Sequence, residues 1–295
     1  MAASPVRDRV LDKQFGSLVR ALPSAQRGDV RSVHQARVAT RRLRAALSMV
    51  EPGPKTGKLV RGVRALTATL GPVRELDVTL QVLEELSRDR RVPVPAIACL
   101  RDEVAGERAE RLSDLIERVS PGRVEKLRRT ARALAGDVAA RTRTRPSQVA
   151  AARAEAGRRA CRLERAVSRA GALYVAERLH EVRIAAKKLR YALEVVQTVS
   201  GSRAPARLRT LTATQDTLGR LHDLDVLIER ARALQARGTL TLVLSADIDA
   251  LVRVLDAECR GLHAQYVTSR AALLAVCRQV LAQAAGASRR GRASA

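Results

Sequence analysis

Aromatic residues are nearly absent: one Phe, three Tyr and no Trp in 295 residues. Single-stranded nucleic acid is commonly held by stacking its bases on aromatic side chains. Phe15, Tyr174, Tyr191 and Tyr266 are too few and too scattered to build such a platform. Long apolar runs are missing as well, and none approaches the length of a membrane span. Residues 1–14 carry Arg7, Asp8, Arg9, Asp12 and Lys13 where a secretory signal needs an unbroken apolar stretch. The four cysteines, Cys99, Cys161, Cys259 and Cys277, lie far apart, with no CxxC pair and no clustered histidines. They read as small buried hydrophobes in a reducing compartment rather than as a disulfide framework or a metal site. A soluble cytoplasmic protein with no membrane partner is expected.

Recognisable catalytic constellations are also lacking. The segment Gly53-Pro54-Lys55-Thr56-Gly57-Lys58 has the glycines and lysines of a phosphate-binding loop. It is one residue short, Leu59 stands where Ser or Thr would hold magnesium, and no strand precedes it. No Ser, His and Asp arrangement or HExxH spacing occurs, and His263 stands alone as a structural residue. Neither a cofactor nor a bound metal is expected.

Acidic residues are the third scarcity. Lys and Arg number 55 against 30 Asp and Glu, a formal charge of +25, and 49 of the 55 are Arg. A GC-rich coding sequence would scatter arginine over every solvated face, so placement decides whether the excess has an acidic partner. The hydrophobic fraction of 46% supplies an ordinary core.

Apolar residues, mostly Ala and Leu, recur at helical spacing almost throughout. Ser4-Pro5 is a helix start, and breaks are expected at Pro52-Gly53, Gly71-Pro72, Pro93 to Pro95, Pro121-Gly122, Pro146, Gly201 to Pro205 and Gly238. Roughly a dozen helices result. Thr239 to Leu244 (TLTLVL) is the one strand-like patch, and it reads as the start of a helix continuing to Tyr266 because the 3.6 period persists. Residues 5–285 form one all-α domain and 286–295 a frayed basic tail containing Arg289, Arg290 and Arg292.

An internal repeat organises the chain. VHQARVATRRLRAAL at 33–47 matches LHEVRIAAKKLRYAL at 179–193, an offset of 146. LGPVRELDV at 70–78 matches LGRLHDLDV at 218–226, an offset of 148. Two matches in the same order point to duplication, giving repeats of about 30–120 and 175–266, each of about four helices, with Val124 to Gly171 connecting them.

On a helix at about 100° per residue, Arg37, Arg41 and Arg44 fall within about 80° of His34. Val33, Ala36, Ala39, Leu43, Ala46, Leu47 and Val50 occupy a separate arc. His180, Arg183, Lys187 and Arg190 repeat the stripe against Leu179, Val182, Ala185, Leu189, Ala192, Leu193 and Val196. One stripe packs and its neighbour is cationic. A solvated face normally relieves repulsion with Glu four residues from Lys or Arg. No acid interrupts either row, and the pattern occurs twice. Arg forks grip two phosphate oxygens at once, Lys adds point charge, and a row of both follows a repeating anionic chain. Each histidine is able to donate a ring N–H to phosphate, with a nearby polyanion favouring its protonated form; burial of the histidines in the core is the competing reading.

The second motif is expected to end one helix at Gly71 or Gly219 and open another. Arg74 and His222 are equivalent positions that extend the basic surface, with Arg61 and Arg209 on the preceding helix. Glu75, Asp77, Asp223 and Asp225 then fall in a first turn, where carboxylates suit the macrodipole and hold arginines in place. A divalent metal site is the competing reading.

These paired segments, VHxxRVAxRRLRxAL and LHxxRIAxKKLRYAL, each followed by LGxxx(D/E)LDV, resemble the CHAD family, the conserved histidine α-helical domain, over nearly the whole chain. The resemblance implies two similar four-helix bundles with extra connecting and terminal helices, basic helices facing a central cleft, and binding of inorganic polyphosphate. By motif match the contacting role carries to His34, Arg37, Arg41, Arg42, Arg44, His180, Arg183, Lys187, Lys188 and Arg190. Arg42 and Lys188 lie well off the main arc. Members are often fused to a triphosphate-processing tunnel domain, but no ExExK signature occurs here. Arg74 opposite His222 breaks the symmetry of the two sites. The expectation is non-catalytic polyphosphate binding that targets proteins to, or organises, polyphosphate granules. The alternatives are a helical nucleic-acid-binding protein and a metal-dependent polyphosphate-processing enzyme using His34 or His180 with Asp223 and Asp225. Oligomeric state is not encoded in any motif.

Overall fold

A computed structural model describes the backbone of residues 6–47, 54–139, 145–202 and 205–293, and side chains over somewhat shorter spans. The described residues form nine helices and no strand: α1 (Val6–Gln26), α2 (Val30–Leu47), α3 (Pro54–Leu86), α4 (Val94–Arg118), α5 (Pro121–Ala139), α6 (Arg145–Ala170), α7 (Ala176–Ser200), α8 (Pro205–Ala236) and α9 (Leu242–Ala293). The all-α bundle expectation holds. The Ser4-Pro5, Pro52-Gly53 and Val50 readings lie outside the described residues.

Most punctuation acts as expected. Helices α3 and α5 open on Pro54 and Pro121, where the missing N–H costs nothing. Gly171, Gly201 and Gly238 follow helix ends with positive φ, the C′ geometry. Gly28 ends α1 with φ of 84°, and a Cβ there would lie 2.9 Å from Leu112. Asp29 then caps α2, its carboxylate accepting from the Ser32 N–H at 2.7 Å. Those bonds hold its carboxyl below the usual range.

Gly71-Pro72 and Gly219 do not break their helices, which corrects the expected dozen. Pro72 lies inside α3 and Gly219 inside α8. An interior proline costs about 3 kcal/mol. Full burial of Leu70, Val73 and Leu76 around it supplies the opposing term. Thr241 precedes α9 and accepts from the Leu244 N–H through its hydroxyl, so TLTLVL is a cap and first turn as read. Helix α9 continues far beyond Tyr266, through 286–293, where fraying was expected.

The chain divides into two compact units, each built from separate stretches. Unit 1 comprises residues 1–77, 108–155 and 191–203; unit 2 comprises 78–107, 156–190 and 204–295. Boundaries fall inside α3, α4, α6 and α7 rather than between contiguous repeats. In unit 1, α1 packs on α2 and α5 around Phe15, Leu18, Leu22, Leu43, Leu66 and Leu115. In unit 2, α8 packs on α9, with Leu221, Leu224, Leu251, Leu255 and Tyr266 buried. Cys259 and Cys277 are buried as expected, whereas Cys99 and Cys161 are only half-buried.

Candidate functional site

In unit 1, the apolar arc of α2 is buried as its spacing predicts: Val33, Ala36, Ala39, Leu43, Ala46 and Leu47. This fixes the rotation of the helix and leaves the cationic stripe outward. His34, Arg42 and Arg44 are exposed, and Arg37 and Arg41 half-buried. Arg37 lies across α3. Its Nη1 donates to the Thr67 carbonyl at 2.9 Å and sits 3.2 Å from where a Gly71 Cβ would be. The glycine read as a break is therefore a seat for the arginine of the first motif. Pro72, in the same stretch of α3, donates no N–H of its own.

Arg41 lies 5.9 Å from the Tyr191 ring centroid, and its Nε is buried with no hydrogen-bond partner among the described residues. Burial and then the like charges of Arg41, Arg44 and Arg74, opposed by Glu75, push the Arg37 guanidinium below its ordinary value. His34 is lowered by desolvation and then by Arg74 and Arg41. The structure thus brings His34, Arg37, Arg41, Arg44 and Arg74 into one mutually repelling cluster. His34 is not a core histidine.

In unit 2, Leu179, Val182, Leu189 and Leu193 are buried. Ala186 rather than Ala185 takes the next buried position. Arg183 repeats the seating: its Nε lies 3.7 Å from where a Gly219 Cβ would be. Here an acid assists, with Asp223 4.0 Å from Arg183 Nη2. Arg190 donates through Nε to Gln215 at 3.0 Å. The rings of His180 and His222 are 4.6 Å apart. Burial, then Arg183, His180 and Lys187, press His222 down to about 4. His180, Arg183, Lys187 and His222 thus gather in unit 2 as their counterparts do in unit 1.

Four candidates separate from these clusters. Arg61 and Arg209 are exposed, but each lies thirteen residues before Arg74 or His222, roughly 20 Å along its helix. Arg42 is exposed off the stripe, and Lys188 faces a different groove, lined by α6.

The acids of the second motif do not stand in a first turn, because α3 and α8 are continuous, so the macrodipole rationale is overturned. Residues two apart on a helix diverge by about 200°. Glu75 is exposed, while Asp77, fully buried, accepts from Arg108 Nε at 2.7 Å. Arg108 also donates to the Gly28 carbonyl at 2.8 Å. Asp223 meets Arg183, whereas Asp225 accepts from the Tyr174 hydroxyl at 2.6 Å. Among the described residues, no group of three or more His, Cys, Asp or Glu is placed to hold a metal ion, and no helix is long and apolar enough to cross a membrane. His263 packs between Tyr174 and Tyr266, a structural place as read. The sequence reading missed Gly71, Gly219, Thr67, Gln215 and Tyr191. Only the glycines carried a signal, their repetition at equivalent positions.

The CHAD domain family model matches residues 9–232. The crystal structure of the CHAD domain from the plant Ricinus communis is 25% identical, with a TM-score of 0.62, covering 90% of this chain and 94% of that one. PptA from Streptomyces chartreusis is 18% identical, with a TM-score of 0.66 and coverage of 90% and 97%, a likeness of fold. No curated protein sequence matches the chain. With more than half of its length matched by the family model, and with the paired helices it shares with solved members, this chain belongs to the CHAD domain family.

Proposed function

We propose that this protein binds inorganic polyphosphate without turning it over, through the cation clusters of its two units. Arg37, Arg41, Arg44 and Arg74, with His34, form the contact surface in unit 1. Arg183, Lys187 and Arg190, with His180 and His222, form it in unit 2. The observation that carries the reading is the repeated seat. In each unit an arginine is laid across a glycine of the facing helix, and further cations continue along the same stripe. Mutual repulsion within such a row is relieved when a chain of phosphates neutralises it.

Two features favour this ligand over its competitors. Phe15 and Tyr266 are buried, Tyr191 lies under Arg41, and Tyr174 is held by Asp225, so no aromatic is placed to stack bases. The two carboxylates of the processing-enzyme alternative are engaged by the protein itself, Asp223 beside Arg183 at 4.0 Å and Asp225 accepting from the Tyr174 hydroxyl at 2.6 Å. A cytoplasmic role in targeting to or organising polyphosphate granules follows from the ligand. The deciding experiment titrates polyphosphate of increasing chain length against wild type and an Arg41→Gln, Arg44→Gln, Lys187→Gln, Arg190→Gln variant. Each lost contact should lower the slope of log affinity against log salt by about 0.7–0.9. Unchanged affinity and slope in a folded variant would refute the site. Phosphate release with magnesium would show turnover, and equal displacement by duplex DNA would show a nonspecific polyanion surface.

A further inference from the structure

A second row of cations lies on α6. Taking Arg159 as zero, Arg162, Arg165 and Arg169 fall at about 300°, 240° and 280°, an arc of about 120° whose Arg159 edge meets the buried face of Ala160, Leu163, Ala166 and Val167. These arginines line a groove of about 750 Å³ within unit 2, whose far wall is the face of α7 bearing Ile184, Ala185 and Lys188. Five cations meet two carboxylates there, Glu164 and Glu181, and Arg169 engages Glu181 at 2.8 Å. Arg165 turns to the Cys161 thiol, 3.2 Å away, rather than to an acid. Lys188 sits about 100° around α7 from Lys187, so the two adjacent lysines open onto different surfaces. The positions 146 residues earlier are Lys13, Gly16, Val19 and Pro23. Duplication therefore does not account for the row, and family motif residues contribute only Lys188.

We infer that the groove between α6 and α7 is a second anion track, built on Arg159, Arg162, Arg165, Arg169 and Lys188, which takes a further stretch of inorganic polyphosphate beyond the motif cluster. The row from Arg159 to Arg169 extends about 15 Å along α6. Its ligand is accordingly an extended polyanion rather than a single phosphate. Aliphatic stems, with Ile184 and Ala185 on the α7 wall, add apolar lining that lowers the local dielectric beside the charges. The inference rests on the polyphosphate reading and adds a unit-specific dependence on chain length.

The test uses the full chain, an Arg162→Gln, Arg165→Gln, Lys188→Gln variant, and a charge-matched control carrying Arg101→Gln, Arg118→Gln and Arg129→Gln, all exposed positions elsewhere. Long-chain polyphosphate and tripolyphosphate are titrated at several salt concentrations, with helicity and melting checked. For long chains, the groove variant should lose about 2 to 3 from its salt slope, three contacts at 0.7–0.9 each. Its tripolyphosphate binding and both slopes of the control should stay at wild-type values. Lys188→Gln alone, at an exposed position, should lose about 0.7–0.9 and serves if the triple variant misfolds. An unchanged long-chain slope, or an equal loss in the control, overturns the track while leaving the motif clusters intact. Failure of wild type to bind polyphosphate of any length would sink the underlying reading instead, and the track with it.

Discussion

Substituting alanine at the two equivalent glycines should have opposite consequences. Gly in a helix interior is less favourable than Ala by about 0.5–1 kcal/mol. Gly219 lies inside α8, where an added Cβ would meet Arg183 Nε at 3.7 Å and Nη2 at 3.9 Å, ordinary contacts. Gly219→Ala should therefore stabilise the protein by about 0.5–1 kcal/mol. At Gly71 the added carbon would lie 3.2 Å from Arg37 Nη1, so the guanidinium must retreat by a few tenths of an ångström. That same nitrogen is bonded to the Thr67 carbonyl at 2.9 Å. A hydrogen bond to a charged group contributes about 1.5–3 kcal/mol, and losing half of it cancels or exceeds the helical gain. Gly71→Ala should thus fall between neutral and about 1 kcal/mol destabilising. Urea unfolding followed by far-ultraviolet circular dichroism measures both, with unchanged m-values required. The two seats belong to separate compact units, so the double variant should be additive. Equal stabilisation by both substitutions would show that Arg37 is not seated on α3.

Arg108→Met should destabilise unit 1 by about 3–5 kcal/mol, since it strands the fully buried Asp77 carboxylate; a urea midpoint within error of wild type would exclude the buried pair. Tyr174→Phe removes a bond to the half-buried Asp225 carboxylate, raised mainly by burial and lowered by that bond. It should cost about 1–3 kcal/mol near neutral pH, measured by thermal melting. His222 has a folded value of about 4 against an ordinary 6.5. The unfolded chain therefore takes up more protons between those values, and this contribution to stability is full above pH 6.5 and lost as pH falls towards 4. On the polyphosphate reading a bound polyanion should raise that value, so complex formation should take up protons and affinity should rise as pH falls. Calorimetry in two buffers of different ionisation enthalpy reads the uptake, which His222→Asn should reduce.

The rotation of α2 was legible because six apolar positions share an arc and all six are buried. The convergence of Arg37, Arg41 and Arg44 follows from that rotation alone. Gly71-Pro72 was misread because local propensity weighs the proline's lost donor, while burial of Leu70, Val73 and Leu76 is a tertiary term invisible in a window of neighbours. The acids were misassigned for the same reason: once α3 and α8 run through, positions that looked like a first turn become opposite faces of one helix. Tyr174 and Asp225 are 51 residues apart in sequence, and Arg108 and Asp77 are 31 apart. No spacing rule links such pairs, and composition gives no sign of them.

Comparing the units separates what the basic face requires from what it tolerates. Both keep the seated arginine and its glycine, yet they complete the seat differently: Arg37 through the Thr67 carbonyl, Arg183 with Asp223 nearby. Arg37 is held by a backbone carbonyl with Glu75 acting only through its charge, whereas Arg183 has the Asp223 carboxylate 4.0 Å away. Unit 1 then adds Arg74, and unit 2 adds His222, whose imidazole is pressed down to about 4 and which a bound anion should draw towards its protonated form. Polyphosphate binding by unit 1 should therefore depend on pH through His34 alone, while unit 2 also gains charge at His222. On the polyphosphate reading, His222 is then the adjustable charge of unit 2, beside a row whose fixed charge is arginine and lysine.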